Sequence, residues 1–186
     1  MTEFELIAQL KLGNENAFKT MVFQYQNKVY NTALGLVQNN NDAEDIAQEV
    51  FIQVYKSIQQ FKGDAAVSTW IYRITVTKSL DFLRNKKRKK RIGVILNLFN
   101  NNIPIYDAAH FIHPGVVLDN KEKAALLFAC IQQLPENQKT AFILNKVEDL
   151  RYAEIAEILK ISESAVDALL QRAKKNLRKL IEKRNE

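Results

Sequence analysis

Three groups of side chains in this 186-residue chain are spaced so that they could do chemistry. The first lies in Phe61 to Arg91, which holds the single tryptophan and 10 Lys or Arg against 2 Asp or Glu. If Ser68 caps a helix beginning at Thr69 or Trp70, a 3.6-residue period puts Arg73, Thr77, Asp81, Arg84 and Arg88 on one face, with Trp70 at its amino-terminal end. Bases stack on aromatic rings and phosphates pair with cations, so this face suits an unpaired nucleic-acid strand. A core tryptophan behind a solvated charged face is the competing explanation. The run Lys86 to Arg91 would add affinity mainly by counterion release, log K falling by about 0.9 per log unit of salt for each duplex phosphate neutralised.

The second group is Asp45, Gln48, Glu49 and Ile52, which share one face of a helix whose other face is apolar. An acidic face is usually only solvated. Around an exposed isoleucine it also suits docking to a basic partner, with Ile52 as anchor. The third group lies near the carboxyl end, where Glu163, Ser164, Asp167, Ala168, Gln171, Arg172 and Lys175 face outward from a helix that Ser162 can cap. Gln171 could pair with adenine, Arg172 with guanine or a phosphate, and Asp167 with cytosine. An amphipathic hairpin in an unrelated fold is the plain alternative.

The elements that must hold these groups read as helical throughout. Phe4 to Leu10 and Phe18 to Tyr30 carry apolar residues at three- and four-residue spacing, which predicts two helices broken near Gly13 and a third running to about Val37. Asn41 can cap the next helix, with Glu44 completing a capping box, and Ala43, Ile46, Ala47, Val50, Phe51, Val54 and Ile58 form its inward stripe. From Ile92 to Asn120 the periodicity fails at asparagines and prolines and no Lys or Arg occurs, so these residues read as a linker. A helix over Lys121 to Leu134 follows, then Pro135 in the first turn of another. After a polar turn at Glu148 and Asp149, Tyr152, Ile155, Ala156 and Leu159 form a short helix. A turn at Lys160 and Ile161 leads to a last helix with Val166, Leu170, Ala173, Leu177 and Leu180 inward. That pair is a helix-turn-helix. The expected fold is all-α: two small helical domains, 1–91 and 121–186, joined by a flexible linker over 92–120, the second a four-helix domain containing the helix-turn-helix.

Composition narrows the function. Net charge is +6, yet residues 1–60 hold more acidic than basic groups, so a polyanion is expected at one site and a different partner at another. Cys130 is alone, which excludes a disulfide within the chain and predicts a reducing compartment. No apolar run approaches the roughly 20 residues of a bilayer span, and the acidic start, MTEFELIAQL, is unlike a signal peptide; no membrane insertion and a cytoplasmic location are expected. No glycine-rich phosphate loop, metal set or Ser, His and Asp arrangement is present. His110 and His113 read as loop histidines beside Pro114, and the carboxylates around Asp45 lack His or Cys company. No enzymatic activity, cofactor, metal or catalytic residue is predicted.

In their order the motifs resemble the extracytoplasmic-function sigma factors, small members of the bacterial sigma factor family that direct RNA polymerase to promoters. DAEDIAQEVFIQVYKSI from Asp42 is similar to the family's polymerase-binding helix, and FKGDAAVSTWIYRITVTKSLDFLRNKKR from Phe61 to its promoter-melting and minus-ten-reading segment. LPENQKTAFIL from Leu134 and YAEIAEILKISESAVDALLQRAKKNLRK from Tyr152 resemble its minus-thirty-five-reading domain. The resemblance implies that Asp45, Gln48, Glu49 and Ile52 contact core RNA polymerase, whose largest-subunit clamp and flap regions would be the partners. It implies that Phe61, Gly63, Asp64, Ser68, Trp70, Arg73, Thr77, Arg84, Lys87 and Arg88 meet minus-ten DNA, including the opened nontemplate strand. Ser162, Glu163, Ser164, Asp167, Ala168, Gln171, Arg172 and Lys175 would meet minus-thirty-five duplex, and an anti-sigma factor would mask the protein until a signal arrives. Thr77 stands where the family usually has asparagine, Asp167 where many members have a basic residue, and Leu169 where many have arginine.

Magnitudes bear on whether such a chain acts alone. Unstacking DNA costs about 1.4 kcal/mol per base-pair step, and one base stacked on an aromatic returns about 1 to 3 kcal/mol. One tryptophan cannot offset a bubble of many base pairs, so a larger partner must supply the rest. The second reading is a free-standing helix-turn-helix transcriptional repressor, which needs duplex affinity without polymerase. A gel shift separates them: promoter binding is expected only when core polymerase is added, and tight, specific duplex binding by the isolated chain would favour the repressor.

Overall fold

The computed structural model describes residues 2–97 and 121–185, and all regular structure within them is helical. The order is α1 Glu3–Lys11, α2 Glu15–Val37, α3 Asn40–Ser57, a 3-10 turn at Ile58–Gln60, α4 Val67–Asn97, α5 Lys121–Gln132, α6 Glu136–Lys146, α7 Tyr152–Leu159 and α8 Glu163–Asn185. The expected all-α class is what the structure shows.

Local chemistry accounts for most boundaries. Thr2 and Glu5 form a capping box that starts α1, and Gly13 at φ +77°, a conformation few side chains tolerate, ends it. The Asn14 side chain then accepts from two backbone N–H groups of α2. α2 continues unbroken to Val37, so the separate third helix expected before Val37 does not exist. Its polar and apolar residues keep one helical period, and the chain turns only at Gln38 in the left-handed conformation. α3 is capped by Asn39, whose side chain accepts from Asp42 N–H at 2.9 Å, two residues before the expected Asn41. Three consecutive asparagines offered equivalent caps, and the Gln38 turn selects the first. Pro135 sits just ahead of α6 at φ −53°.

α4 differs at both ends. It begins at Val67, which places Ser68 inside its first turn and not at the cap, because a residue from α1 caps it instead. It also runs through to Asn97, beyond the Ile92 at which helical periodicity fails. His110 and His113 lie outside the described residues.

Two apolar clusters organise the chain. One gathers Leu10, Met21, Val29, Ile46, Val50 and Ile71 from α1–α4. The other gathers Phe128, Ile131, Leu144, Ile155, Val166 and Leu170 from α5–α8, and it also takes in Leu36, Tyr72 and Val76 from α2 and α4. Those three are 0, 5 and 6 % exposed, so the two halves share a core along this seam. Buried polar contacts close it. Gln132 Nε2 and Lys139 Nζ both donate to the Leu36 carbonyl, at 3.2 and 3.3 Å, and Gln38 Nε2 donates to the Phe128 carbonyl at 2.8 Å. Cys130 is buried in the second cluster.

Candidate nucleic-acid interface

The six residues between the 3-10 turn and α4 cross the end of that helix as an irregular loop. Gly63 adopts φ +81° there, and a side chain at that position would meet no neighbour; the backbone conformation, not space, calls for glycine. The loop brings Phe61 against Trp70, ring centroids 4.9 Å apart. Phe61, Gly63, Asp64, Trp70 and Arg73 surround a recess of about 180 Å³, of the order of one unstacked base. Trp70 is only half-buried: it packs against the first core and also opens to this recess, so one side chain belongs to both.

From the recess a larger groove of about 1030 Å³ continues between α3 and α4. Of the face expected on α4, Trp70, Arg73, Thr77 and Asp81 line it. Lys86 and Lys89 of the expected basic run line it as well, together with Lys78 and Asn85, which the face counted from Arg73 leaves out but three- and four-residue steps from Trp70 reach. The opposite wall is acidic, and Lys78 pairs with Glu49 at 3.2 Å and Lys86 with Asp42 at 2.6 Å. Glu49 therefore belongs to the groove edge, whereas Asp45, Gln48 and Ile52 stay exposed on α3, Ile52 at 53 %. Lys87 and Arg88 are exposed and Ser68 is half-buried.

Two arginines of the expected DNA face are engaged by the second half. Arg73 donates through Nε and Nη2 to the Glu157 carbonyl at 3.1 and 2.7 Å, with the Glu157 carboxylate 3.9 Å away. Arg84 bridges Asp81 on its own helix and Glu136 on α6.

In the helix-turn-helix, Ser162 Oγ accepts from Ala165 N–H at 3.2 Å, the expected cap. Glu163, Ser164, Asp167, Gln171, Arg172 and Lys175 are exposed along α8, and Ala168 is half-buried. Asp167 accepts from Gln171 one turn on at 3.4 Å, so its charge has a local partner. Leu169 packs against the second core, which accounts for an apolar residue there.

Sequence reading missed the titratable groups of the seam. Glu148, expected in a polar turn, accepts a hydrogen bond from the Tyr72 hydroxyl at 3.1 Å. Burial raises its carboxyl from 4.5 to about 7, against the opposing pull of Tyr72 and Thr32 and of the Lys28 charge. Burial, with Glu148 beside it, holds the Tyr72 hydroxyl protonated far above its ordinary range. Lys139 is pulled down from 10.5 to about 8 by burial and by the Lys87 charge, with Glu136 opposing.

The signs follow from proton linkage. Glu148 binds its proton more tightly with the seam closed, so its contribution to closure is full below pH 4.5 and is lost as pH rises to about 7. Lys139 loses its proton more readily when closed, so its penalty is relieved only as pH rises above about 8. Closure should be weakest between pH 7 and 8. Small-angle scattering is expected to show a smaller radius of gyration at pH 5.5 than at pH 7.5, with Glu148→Gln removing most of the difference; an unchanged pH response in that variant would exclude Glu148 as its source.

Comparison with known proteins adds the family. Residues 21–89 match the model of sigma-70 region 2, and residues 124–177 match that of sigma-70, region 4. The ECF RNA polymerase sigma-E factor of Haemophilus influenzae is 32 % identical over 186 residues, covering 98 % of this chain and 96 % of that one. The ECF RNA polymerase sigma factor SigW of Bacillus subtilis is 32 % identical over 177 residues, 93 % of each chain. Among solved structures, CnrH in complex with the cytosolic domain of CnrY superposes with a TM-score of 0.70 at 20 % identity, covering 97 % of both chains. The sigma factor RpoE in complex with the anti-sigma factor NepR from Bartonella quintana gives 0.67 at 18 % identity, covering 89 % of this chain and 96 % of that one.

Proposed function

The chain belongs to the extracytoplasmic-function sigma factors, and on that premise we propose that residues 1–91 dock core RNA polymerase and capture the opened minus-ten strand while residues 121–186 read the minus-thirty-five duplex. The observation that carries this assignment is the recess where Phe61, Gly63 and Asp64 of the loop meet Trp70 and Arg73 of α4. An aromatic wall, a cation and a loop opening onto a groove with cations along its α4 wall are what a displaced base and its phosphates require. Asp45, Gln48 and Ile52, exposed on α3, form the polymerase surface, and Glu49 joins it at the groove edge. The protein is an initiation factor; we read it as lacking catalysis of its own and as working in the cytoplasm beside polymerase. No helix among the described residues is long and apolar enough to cross a membrane. The two complexes similar in fold hold a cytosolic partner domain and an anti-sigma factor, which supports an equivalent inhibitor here, released by a signal.

The closed seam bears on how this works. Sites near minus ten and minus thirty-five lie about 25 base pairs apart, about 85 Å at 3.4 Å per pair. A compact chain of this length has a radius of gyration of about 16 Å. The halves must therefore part before both elements are read, and parting also frees Arg73 and Arg84 from Glu157 and Glu136. The residues between Asn97 and Lys121 can span roughly 80 Å when extended, enough to permit it.

Docking is tested by Asp45→Lys with Ile52→Ala. Both positions are exposed, so affinity for core polymerase should fall about tenfold or more while the melting temperature moves by only about 2 °C. Unchanged affinity would remove this surface from the interface. For strand capture, Trp70→Ala should slow promoter opening in the reconstituted holoenzyme more than it weakens the closed complex. Equal loss of both, with a lowered melting temperature, would instead make Trp70 a core residue alone.

A further inference from the structure

The capture loop has no regular hydrogen-bonding of its own, yet both its ends are tied to α1. At its start, Lys11 Nζ donates to the Phe61 carbonyl at 2.8 Å, while Gln59 Nε2, just before the loop, donates to the Lys11 carbonyl. At its end, Glu3 Oε1 accepts from the Val67 N–H at 2.9 Å. Val67 opens α4, and Ala66 before it has no side chain able to cap. A carboxylate at that position satisfies an orphan donor and meets the positive end of the helix dipole. Glu3 and Lys11 are eight residues apart, about 12 Å along a helix, so α1 bridges the loop from one end to the other. The bridge is itself anchored, since Leu6 and Leu10 are 3 and 5 % exposed in the first core.

We propose that α1 is a bracket for strand capture, with Glu3 and Lys11 as positioning residues that hold the loop, and so Phe61 against Trp70, in the shape that receives an unstacked base. The inference rests on the reading of that recess as the capture site. Neither residue lines the recess, and both act through the backbone they hold. A loop free at either end would sample other conformations before a base arrives, and each such conformation lowers the fraction competent to bind. The effect belongs to opening, because the polymerase surface on α3 and the outward face of α8 lie on other elements.

The test uses reconstituted holoenzyme on a promoter carrying 2-aminopurine in the minus-ten element, whose fluorescence rises on unstacking. Lys11→Met combined with Glu3→Ala should slow the rise about tenfold, with core binding and closed-complex affinity within about twofold of wild type. Lys11→Arg with Glu3→Gln, which keeps a donor and an acceptor, should recover most of the rate. A wild-type rate in the first pair overturns the bracket. So does a slowing matched by loss of core binding or unrelieved in the second pair, since a merely structural contribution would behave that way. Trp70→Ala run in parallel separates the two ideas: if it slows the signal while the α1 pair does not, the recess stands and the bracket falls. If it leaves the signal unchanged, the recess reading falls first.

Discussion

The carbonyl end of α2 is the constraint around which the two halves meet. A helix leaves its last carbonyls without intrahelical partners, and here that end is buried, with Leu36 fully inside. Burying an unpaired carbonyl would cost about 1–3 kcal/mol. The second half removes that cost by directing Gln132 and Lys139 to the Leu36 carbonyl, and an ammonium at a helix carboxyl end also complements its dipole. Lys139 is itself costly to bury, which is why its pKa falls to about 8. Seam and lysine are thus linked: the helix end needs a buried donor, and Lys139 supplies one, with the Leu36 carbonyl and Gln132 Oε1 as its acceptors.

Around this buried centre the seam becomes progressively weaker. Tyr72 and Val76 add apolar contact and the Tyr72 to Glu148 bond. Further out, Arg73 and Arg84 pair with Glu157 and Glu136 at part-exposed positions, where an ion pair near the surface contributes about 0–1 kcal/mol and salt screens it. Two of the cations that face the groove, Lys78 and Lys86, are likewise held by Glu49 and Asp42. A polyanion can displace such carboxylates without disturbing a core. Arg73, Lys78, Arg84 and Lys86 are therefore stored in a neutralised state that costs little to undo, while the buried contacts beneath them hold the two halves together.

Much of this architecture was legible in the sequence because it depends on local periodicity. The inward stripe of α3, the helix-turn-helix with its Ser162 cap and the aromatic and basic character of α4 follow from spacing of three and four residues. What spacing cannot carry is a partner far along the chain. Ser68 looked like the cap of α4 because a capping side chain is sought just before the helix, whereas Glu3 reaches Val67 from 64 positions away. Glu148 reads as part of a polar turn because nothing nearby in sequence announces Tyr72. Arg84 reads only as part of the DNA face because Glu136 lies on another helix. The three asparagines before α3 illustrate a milder limit, in which equivalent caps are separated only by the turn that precedes them.

The geometry of α4 explains how one helix serves both the seam and the groove. At 100° per residue, Tyr72, Val76 and Leu80 form a stripe toward the second core, and Trp70, Ile74, Thr77, Asp81 and Asn85 form a different one toward the groove. Arg73 and Arg84 fall on the border between the two stripes. Parting the halves would uncover the first stripe and release the border arginines, but it need not repack the second, whose Trp70 and Ile74 rest on the first core. The loop that completes the recess is tied to α1, away from the seam. On the proposed reading, the capture site is assembled before the halves part, and parting frees Arg73 while leaving the recess in place.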